Sequence, residues 1–391
     1  MEKRSSRNQK DPVLGLVRKF IRFFRNYRQW SNKTFVVVLL IVVAISMALT
    51  LLAQGIKGVP LVNSSVTTVS QSADSKEKTT VTEQETSARI MANGDLLYHD
   101  IIYISAKKAD GTYDFHENFE YVKPWLKQAD LVIGDFEGTV NKDHYLAGYP
   151  LFNAPGEVMD AIKDAGYQVL DLAHNHILDS QIEGVVSTAD AIEKAGMTPI
   201  GVYTHEPRDK APIVIKEVNG IKVALLAYSY GFNGIEQSIS QEDYNRYLSD
   251  LDEDKMKAEI ERAEKEADIT IIMPQMGVEY QIEPTEEQKK LYHKMIDWGA
   301  DIIFGGHPHV VEPAETVEKE GDKKLIIYSM GNFISNQRIE TMQDVENAKW
   351  TERGVLMDVT IKKKSGKTTI ETAQAHPSWV SRTPKGGYSP E

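Results

Sequence analysis

From residue 88 onward, short apolar runs alternate with longer stretches of helical periodicity. Strands are predicted at Arg89–Ala92, Leu131–Ile133, Gln168–Leu172, Lys222–Tyr228, Ile269–Met273, Ile302–Phe304 and Lys324–Ser329, each bounded by turn-forming or charged residues. Amphipathic helices are predicted between them at Phe119–Gln128, Glu157–Ala165, Glu183–Ala195, Glu253–Glu266 and Glu286–Trp298. Gly166, Gly196 and Gly299 fall just past three of these, where a C-terminal cap belongs. Strand–helix alternation predicts an α/β body. Asn219-Gly220 suits a type I′ hairpin turn, and late strands at Gly354–Ile361 and Thr368–Ala373 form a second antiparallel pair around Lys364-Ser365-Gly366-Lys367. The sheet is therefore expected to be mixed.

The pattern changes completely at the N-terminus. Residues 35–53 (FVVVLLIVVAISMALTLLA) carry no charge and are long enough to cross a bilayer as a helix. Ten basic residues, from Lys3 to Lys33, precede them against only Glu2 and Asp11. By the positive-inside rule residues 1–34 stay cytoplasmic, 35–53 form an uncleaved signal anchor, and the remainder lies outside the cell. Residues 54–87 turn to Ser, Thr, Val, Glu and Lys without an aromatic residue, a composition that reads as a tether. The folded domain is expected at 88–375. Residues 376–391, rich in Pro and Gly from Thr383, read as a loose tail.

Charge and composition narrow the chemistry. The chain has 391 residues, a net charge of −12 and no cysteine, so thiolate catalysis, Cys-ligated zinc and disulfides are excluded. Setting aside the basic N-terminal segment leaves about −20 for the rest, with no basic stripe to neutralise phosphates. A nucleic-acid partner is not expected.

Four predicted strands run out at ligand-type residues, the pattern of an α/β sheet presenting side chains from its carboxyl-end loops. Asp95 follows Gly94 just beyond the first strand, with His99 four residues on; Asp95 is either a ligand or a helix cap. Asp135-Phe136-Glu137 ends the second, and its two carboxylates would point the same way in an extended segment, unless they form a solvated turn. His174-Asn175-His176, with Asp179, ends the third and offers an amide oxygen flanked by imidazoles. A capping Asn beside a buried His is the alternative there. Gly305-Gly306-His307-Pro308-His309 carries the strongest local signal, two imidazoles at i and i+2 facing one side of an extended chain. Gln275-Met276-Gly277-Val278-Glu279-Tyr280 and Ser329-Met330-Gly331-Asn332-Phe333 end two further strands. Carboxylate, imidazole and amide oxygen together suit Mn, Zn, Fe or Mg.

These motifs, in this order from about Arg89 to Gln337, make the chain resemble the CapA family of capsule (poly-γ-glutamate) biosynthesis proteins, which is similar in fold to calcineurin-like metallophosphoesterases. The resemblance implies a mixed-sheet sandwich with helices packed outside. It implies up to two divalent metal ions held by Asp95, His99, Glu137, Asn175, His307 and His309, with Glu137 bridging. Gln275 stands where the family has a His, and its carbonyl oxygen binds transition metals more weakly than imidazole. His176, with Asp179 beside it, would act as acid or transition-state stabiliser. Three functions are compatible: assembly or export of an anionic capsule polymer alongside membrane polymer-synthase subunits, hydrolysis of a cell-envelope phosphate ester, or a non-catalytic polymer scaffold. For an anionic ligand, Lys123, Lys127, Arg208, Lys210 and Arg338 are available as a basic lining.

Overall fold

The computed structural model describes residues 85–382 and 387–390. The expected cytoplasmic segment, membrane span and nearly all of the linker lie outside the described residues. Among the described residues no helix is long and apolar enough to cross a membrane. In chain order the strands are β1 (Thr86–Leu97), β2 (Leu131–Glu137), β3 (Val169–Asp171), β4 (Thr198–Ile200), β5 (Val214–Val218), β6 (Ile221–Ser229), β7 (Ile269–Gln275), β8 (Ile302–Phe304), β9 (Ala314–Lys319), β10 (Asp322–Ile327), β11 (Asn332–Ile334), β12 (Arg353–Lys364), β13 (Lys367–Arg382) and β14 (Tyr388–Pro390). They form two mixed sheets. One runs β14-β13-β12-β1-β2-β3-β4, with β11 also pairing β1; the other runs β5-β6-β7-β8-β10-β9.

Alternation along the strands explains why there are two. In β1, Ile90 and Ala92 face one core while Met91 faces another; in β6, Val223 and Leu225 face the first core while Ala224 and Leu226 face a third. The shared core, which also takes Ile133 of β2 and Ile271 of β7, fills the space between the sheets. The outer face of the first sheet is covered by two helices, α3 (Val158–Ala165) and α4 (Gln181–Lys194). That of the second is covered by α6 (Glu253–Glu266) and α7 (Glu286–Trp298). The expected mixed-sheet sandwich with helices outside is the observed architecture.

Three expectations need correction. The helix expected at Phe119–Gln128 is a 3-10 turn at His116–Phe119 and a single helical turn, α2 (Lys123–Leu126). Pro124 has no N–H and is tolerated only in a first turn, so it sets the start of α2 rather than lying inside a longer helix. The linker boundary moves, because Thr86 and Ser87 already pair with Lys363 and Lys362. The loose tail is also wrong: β13 continues to Arg382, and Tyr388, 1% exposed, anchors β14 against it. The short strands β4 and β11 and the edge strand β9, half-exposed along its length, carry no alternation long enough to have been read.

The β5–β6 hairpin turns at Asn219-Gly220 as expected, with φ of 51° and 77°. A Cβ at Gly220 would meet no atom, so Gly220→Ala isolates the cost of left-handed backbone. It should destabilise the chain by roughly 1 kcal/mol, measurable as a lower denaturant midpoint with an unchanged slope.

Candidate metal centre

Parallel pairing of β1, β2 and β3 sets Asp95, Asp135 and Asp171 side by side across the first sheet. A register shift between Asn93 and Asp95 marks the point where β1 also takes up β11, with Asp95 opposite Asn332. From the second sheet, the segment after β8 delivers His309 against these carboxylates. Its Nδ1 lies 2.8 Å from Asp95 Oδ2, 3.2 Å from Asn332 Oδ1 and 3.8 Å from Glu137 Oε2. Ligand atoms of Asp95, Glu137 and His309 all lie within 4.8 Å of one another, and all three residues are buried.

The His307-Pro308-His309 segment is not extended, as the i, i+2 argument assumed. His307 and His309 both have positive φ, 96° and 58°, a conformation costly for β-carbon-bearing residues and concentrated at functional sites. Gly306 shows how tightly this segment closes on the carboxylates: a Cβ there would sit 2.9 Å from Asp135 Oδ2 and 3.2 Å from Gln275 Nε2. Gln275 donates to Asp135 Oδ2 at 2.5 Å. The His307 ring packs at a 45° tilt against Tyr230 with centroids 4.4 Å apart, and its Nδ1 has no hydrogen-bond partner.

The third loop brings its side chains to the same place with separate roles. Asn175 donates through Nδ2 to Asn233 at 3.2 Å, which leaves its buried Oδ1 unpaired. His176 Nδ1 lies 2.8 Å from Asp179 Oδ2, while its Nε2 lies 4.0 Å from Glu137 Oε1. Burial by itself lowers the His176 pKa, but the Asp179 hydrogen bond and the Glu137 charge more than reverse this, leaving it above the ordinary imidazole value. His174 is structural: its Nδ1 accepts the His176 backbone N–H at 3.1 Å, and burial holds it neutral. His99 is not one of the three residues whose ligand atoms converge, though it lies near enough to His309 and His176 to feel their charge. Its Nδ1 accepts the Asn336 amide at 3.2 Å, tying the loop after β11 to the start of α1 (Asp100–Ser105).

Whether a cation fits here is answered by the orphaned atoms. Asp95 Oδ1, both Glu137 oxygens, Asp135 Oδ1, Asn175 Oδ1, Gln275 Oε1 and His307 Nδ1 are all buried without a hydrogen-bond partner. Such groups carry desolvation costs that a hydrogen-bond donor or a cation must offset, and so many acceptors converging beside three carboxylates favour a cation. The charges agree. Burial raises the Glu137 pKa to about 7 and pushes that of Asp135 well up. Burial opposes a charge on His309, yet Glu137 and Asp95 keep its proton bound up to about 10. The pocket favours positive charge, and its oxygen and imidazole donors match a divalent metal.

Asp171 is the carboxylate that sequence reasoning left out, and Asp135, singled out beside Glu137, was not among the expected ligands; pairing of β1, β2 and β3 sets both in line with Asp95. Asp171 ends β3, but a single strand-end Asp reads equally as a turn. Asp171 accepts the Ala173 N–H at 2.7 Å through Oδ1, its Oδ2 is unpaired, and burial raises its pKa to about 8. The folded state therefore holds a proton that the unfolded chain releases near pH 4, and stability falls as pH rises from about 4 to about 8. Asp171→Asn should make this fall shallower, as read from thermal midpoints across that range.

A cleft of about 420 Å³ opens over the cluster, lined by Asn175, His176, Glu279, Tyr280, His309 and Tyr149 among others. None of the expected basic residues reaches it. Lys123 and Lys127 pair with Asp164, Arg208 is sequestered by Asp250 and Glu259, Arg338 pairs with Glu352, and Lys210 is absent from the lining. Attraction for an anion at this cleft would come from bound metal and protonated His176.

Residues 89–337 match the family model described as bacterial capsule synthesis protein PGA_cap. The capsule biosynthesis protein CapA of Bacillus anthracis is 34% identical over 228 residues, covering 56% of this chain and 54% of that protein. The PGA biosynthesis protein CapA of Bacillus subtilis (strain 168) is 31% identical over 223 residues, covering 56% and 57%. The matched part thus spans little more than half the length of these relatives. Among solved structures, a calcineurin-like phosphoesterase from Bacillus subtilis covers 75% of this chain and 91% of its own at 17% identity, with a TM-score of 0.45. A protein described as a putative 5′-nucleotidase, from Staphylococcus aureus, covers 75% of this chain and 54% of its own at 13% identity, with a TM-score of 0.46.

Proposed function

Because the chain belongs to the bacterial capsule synthesis protein family, we propose that it serves the assembly or export of an anionic capsule polymer such as poly-γ-glutamate, through a divalent-metal centre at Asp95, Glu137 and His309. The observation that carries the metal part is the set of buried carboxylate oxygens with no partner other than the His309 proton. Asn175, His307 and Gln275 bring further unpaired donor atoms to the same loops, with the Gln275 amide the weakest donor of the set. A bound ion would supply Lewis-acid charge at the floor of the cleft. The chain's own residues do the rest: Asp179 orients the His176 ring, and His176 carries a proton into the cleft beside Glu137.

In this reading residues 35–53 anchor the chain in the membrane, with the folded body outside and polymer-synthase subunits as membrane partners. A host that makes such a polymer and lacks its own protein of this family provides the test. The full-length chain should restore polymer output, and Asp95→Asn or His309→Ala should not. Equal restoration by parent and variants would overturn the role of the centre.

A second reading, metal-dependent hydrolysis of a cell-envelope phosphate ester, is favoured by the His176–Asp179 pair. A pure scaffold has no need for an oriented, proton-bearing imidazole facing the cleft. Release of phosphate from a panel of envelope phosphate esters by the parent, absent in His176→Asn, would support it.

A further inference from the structure

A groove of about 640 Å³ lies along the β12–β13 pair, bounded by Trp350, Trp379 and Ile282, which are 38%, 44% and 40% exposed. Arg353 and Trp379 face each other directly across the two strands. The Arg353 guanidinium packs over both indoles, 4.4 Å from the Trp379 ring and 5.0 Å from that of Trp350. It donates to the Lys349 carbonyl, and among the described residues no carboxylate lies within ion-pair distance of Arg353 or Lys349. Two buried polar atoms in the lining are also unpaired: Glu312 Oε1 and Ser378 Oγ. The other Glu312 oxygen accepts from Gln288 Nε2 at 2.7 Å.

We propose that this groove is a second binding site, separate from the metal cleft, for an acidic, amide-linked chain with methylene spacers. The proposal deepens the capsule-polymer reading and rests on it. Each feature calls for one part of such an occupant. A stacked guanidinium with no carboxylate of its own is a preformed anion partner whose rotamer freedom is already lost. Indole faces and an apolar floor suit methylene groups rather than a fully hydrated ion. Unpaired carboxyl and hydroxyl groups can satisfy the amide groups of a chain, and their burial makes leaving them unmet costly. Burial raises the Glu312 pKa to about 7, so near neutral pH it is only partly charged and can take up a proton when an anionic occupant binds. A neutral glycan would leave Arg353 unused, and a small inorganic anion would leave the tryptophans unused.

The groove is close to the cleft along the chain, since Glu312 follows His309 by three residues. Gly331, beside Asn332 of the metal centre, bridges to Gly354 in the groove lining. A chain held here would be presented next to the metal centre rather than in it.

Binding of a short fluorescein-labelled oligo-γ-glutamate to the full-length protein in detergent, read by anisotropy, tests this. Arg353→Gln and Trp379→Ala should each weaken binding at least about tenfold, while Trp379→Phe retains most of it. Gly220→Ala, in the β5–β6 turn outside both sites, should bind like the parent. Circular dichroism and thermal midpoints show which variants are folded. No binding by the parent, binding unchanged in both groove variants, or stronger binding of a neutral oligoglucose would overturn the proposal. So would release of the probe by a peptide of residues 54–87 at lower concentration than unlabelled oligo-γ-glutamate, because the chain's own tether would then be the occupant. Failure here is distinguishable from failure of the metal reading. Groove binding that survives while His309→Ala still supports polymer output leaves this site standing and removes the other.

Discussion

Glu137→Gln should make the metal-free protein more stable and abolish its stabilisation by metal. Both Glu137 oxygens are buried without a hydrogen-bond partner, and burial has already raised the pKa to about 7. A neutral amide of the same shape removes a charge that the fold can keep only at a desolvation cost. The thermal midpoint without added metal should therefore rise. The same change removes the carboxylate that faces both His309 and His176, at 3.8 Å and 4.0 Å. Loss of an outer partner of a metal ligand typically costs ten- to a hundredfold in affinity, so loss of this carboxylate should cost about a hundredfold or more. The shift in midpoint that Mn or Zn produces in the parent should vanish. A variant that is less stable without metal, yet equally stabilised by it, would show that Glu137 is a packing residue.

The second large effect is expected at His176, and it separates chemistry from metal retention. If the centre hydrolyses a phosphate ester, His176→Asn should lower turnover by about 10²- to 10⁴-fold, the usual range for a positioned acid or base, with metal content unchanged. Asp179→Asn acts through the imidazole. Its hydrogen bond helps to hold the His176 pKa above the ordinary value, so its removal lets burial pull that pKa down. If His176 donates a proton, activity falls as pH rises through its pKa, and Asp179→Asn should shift this alkaline limb to lower pH. A uniform loss at every pH would mean that Asp179 only supports the loop, to which it also contributes by accepting the Phe152 N–H at 2.5 Å.

The strand ends were the most legible part of this chain. Apolar runs ending at Asp95, Glu137, Asn175 and His309 mark both the sheets and the site, because a carboxyl-end loop must stop burying hydrocarbon where it starts binding a ligand. Helices α6 and α7 were readable to the residue, since full amphipathic turns closed by capping side chains at Asp252 and Thr285 leave little freedom. What local pattern could not carry was anything set by long-range pairing. Tyr388 reads as part of a Pro- and Gly-rich end until Arg382 is seen opposite it. The left-handed turn through His307 and His309 depends on the carboxylates of the other sheet, more than 170 residues away in sequence. Likewise, four of the five basic residues looked available only because their acidic partners lie elsewhere along the chain: Lys123 and Lys127 meet Asp164, Arg208 meets Asp250 and Glu259, and Arg338 meets Glu352.

Elemental analysis of the purified full-length chain, beside the His307→Ala, His309→Ala double variant, addresses the metal centre most directly. At least one divalent ion per parent chain is expected, and its loss in the double variant. No bound metal after supply of Mn, Zn and Fe, or equal metal in both proteins, would contradict it.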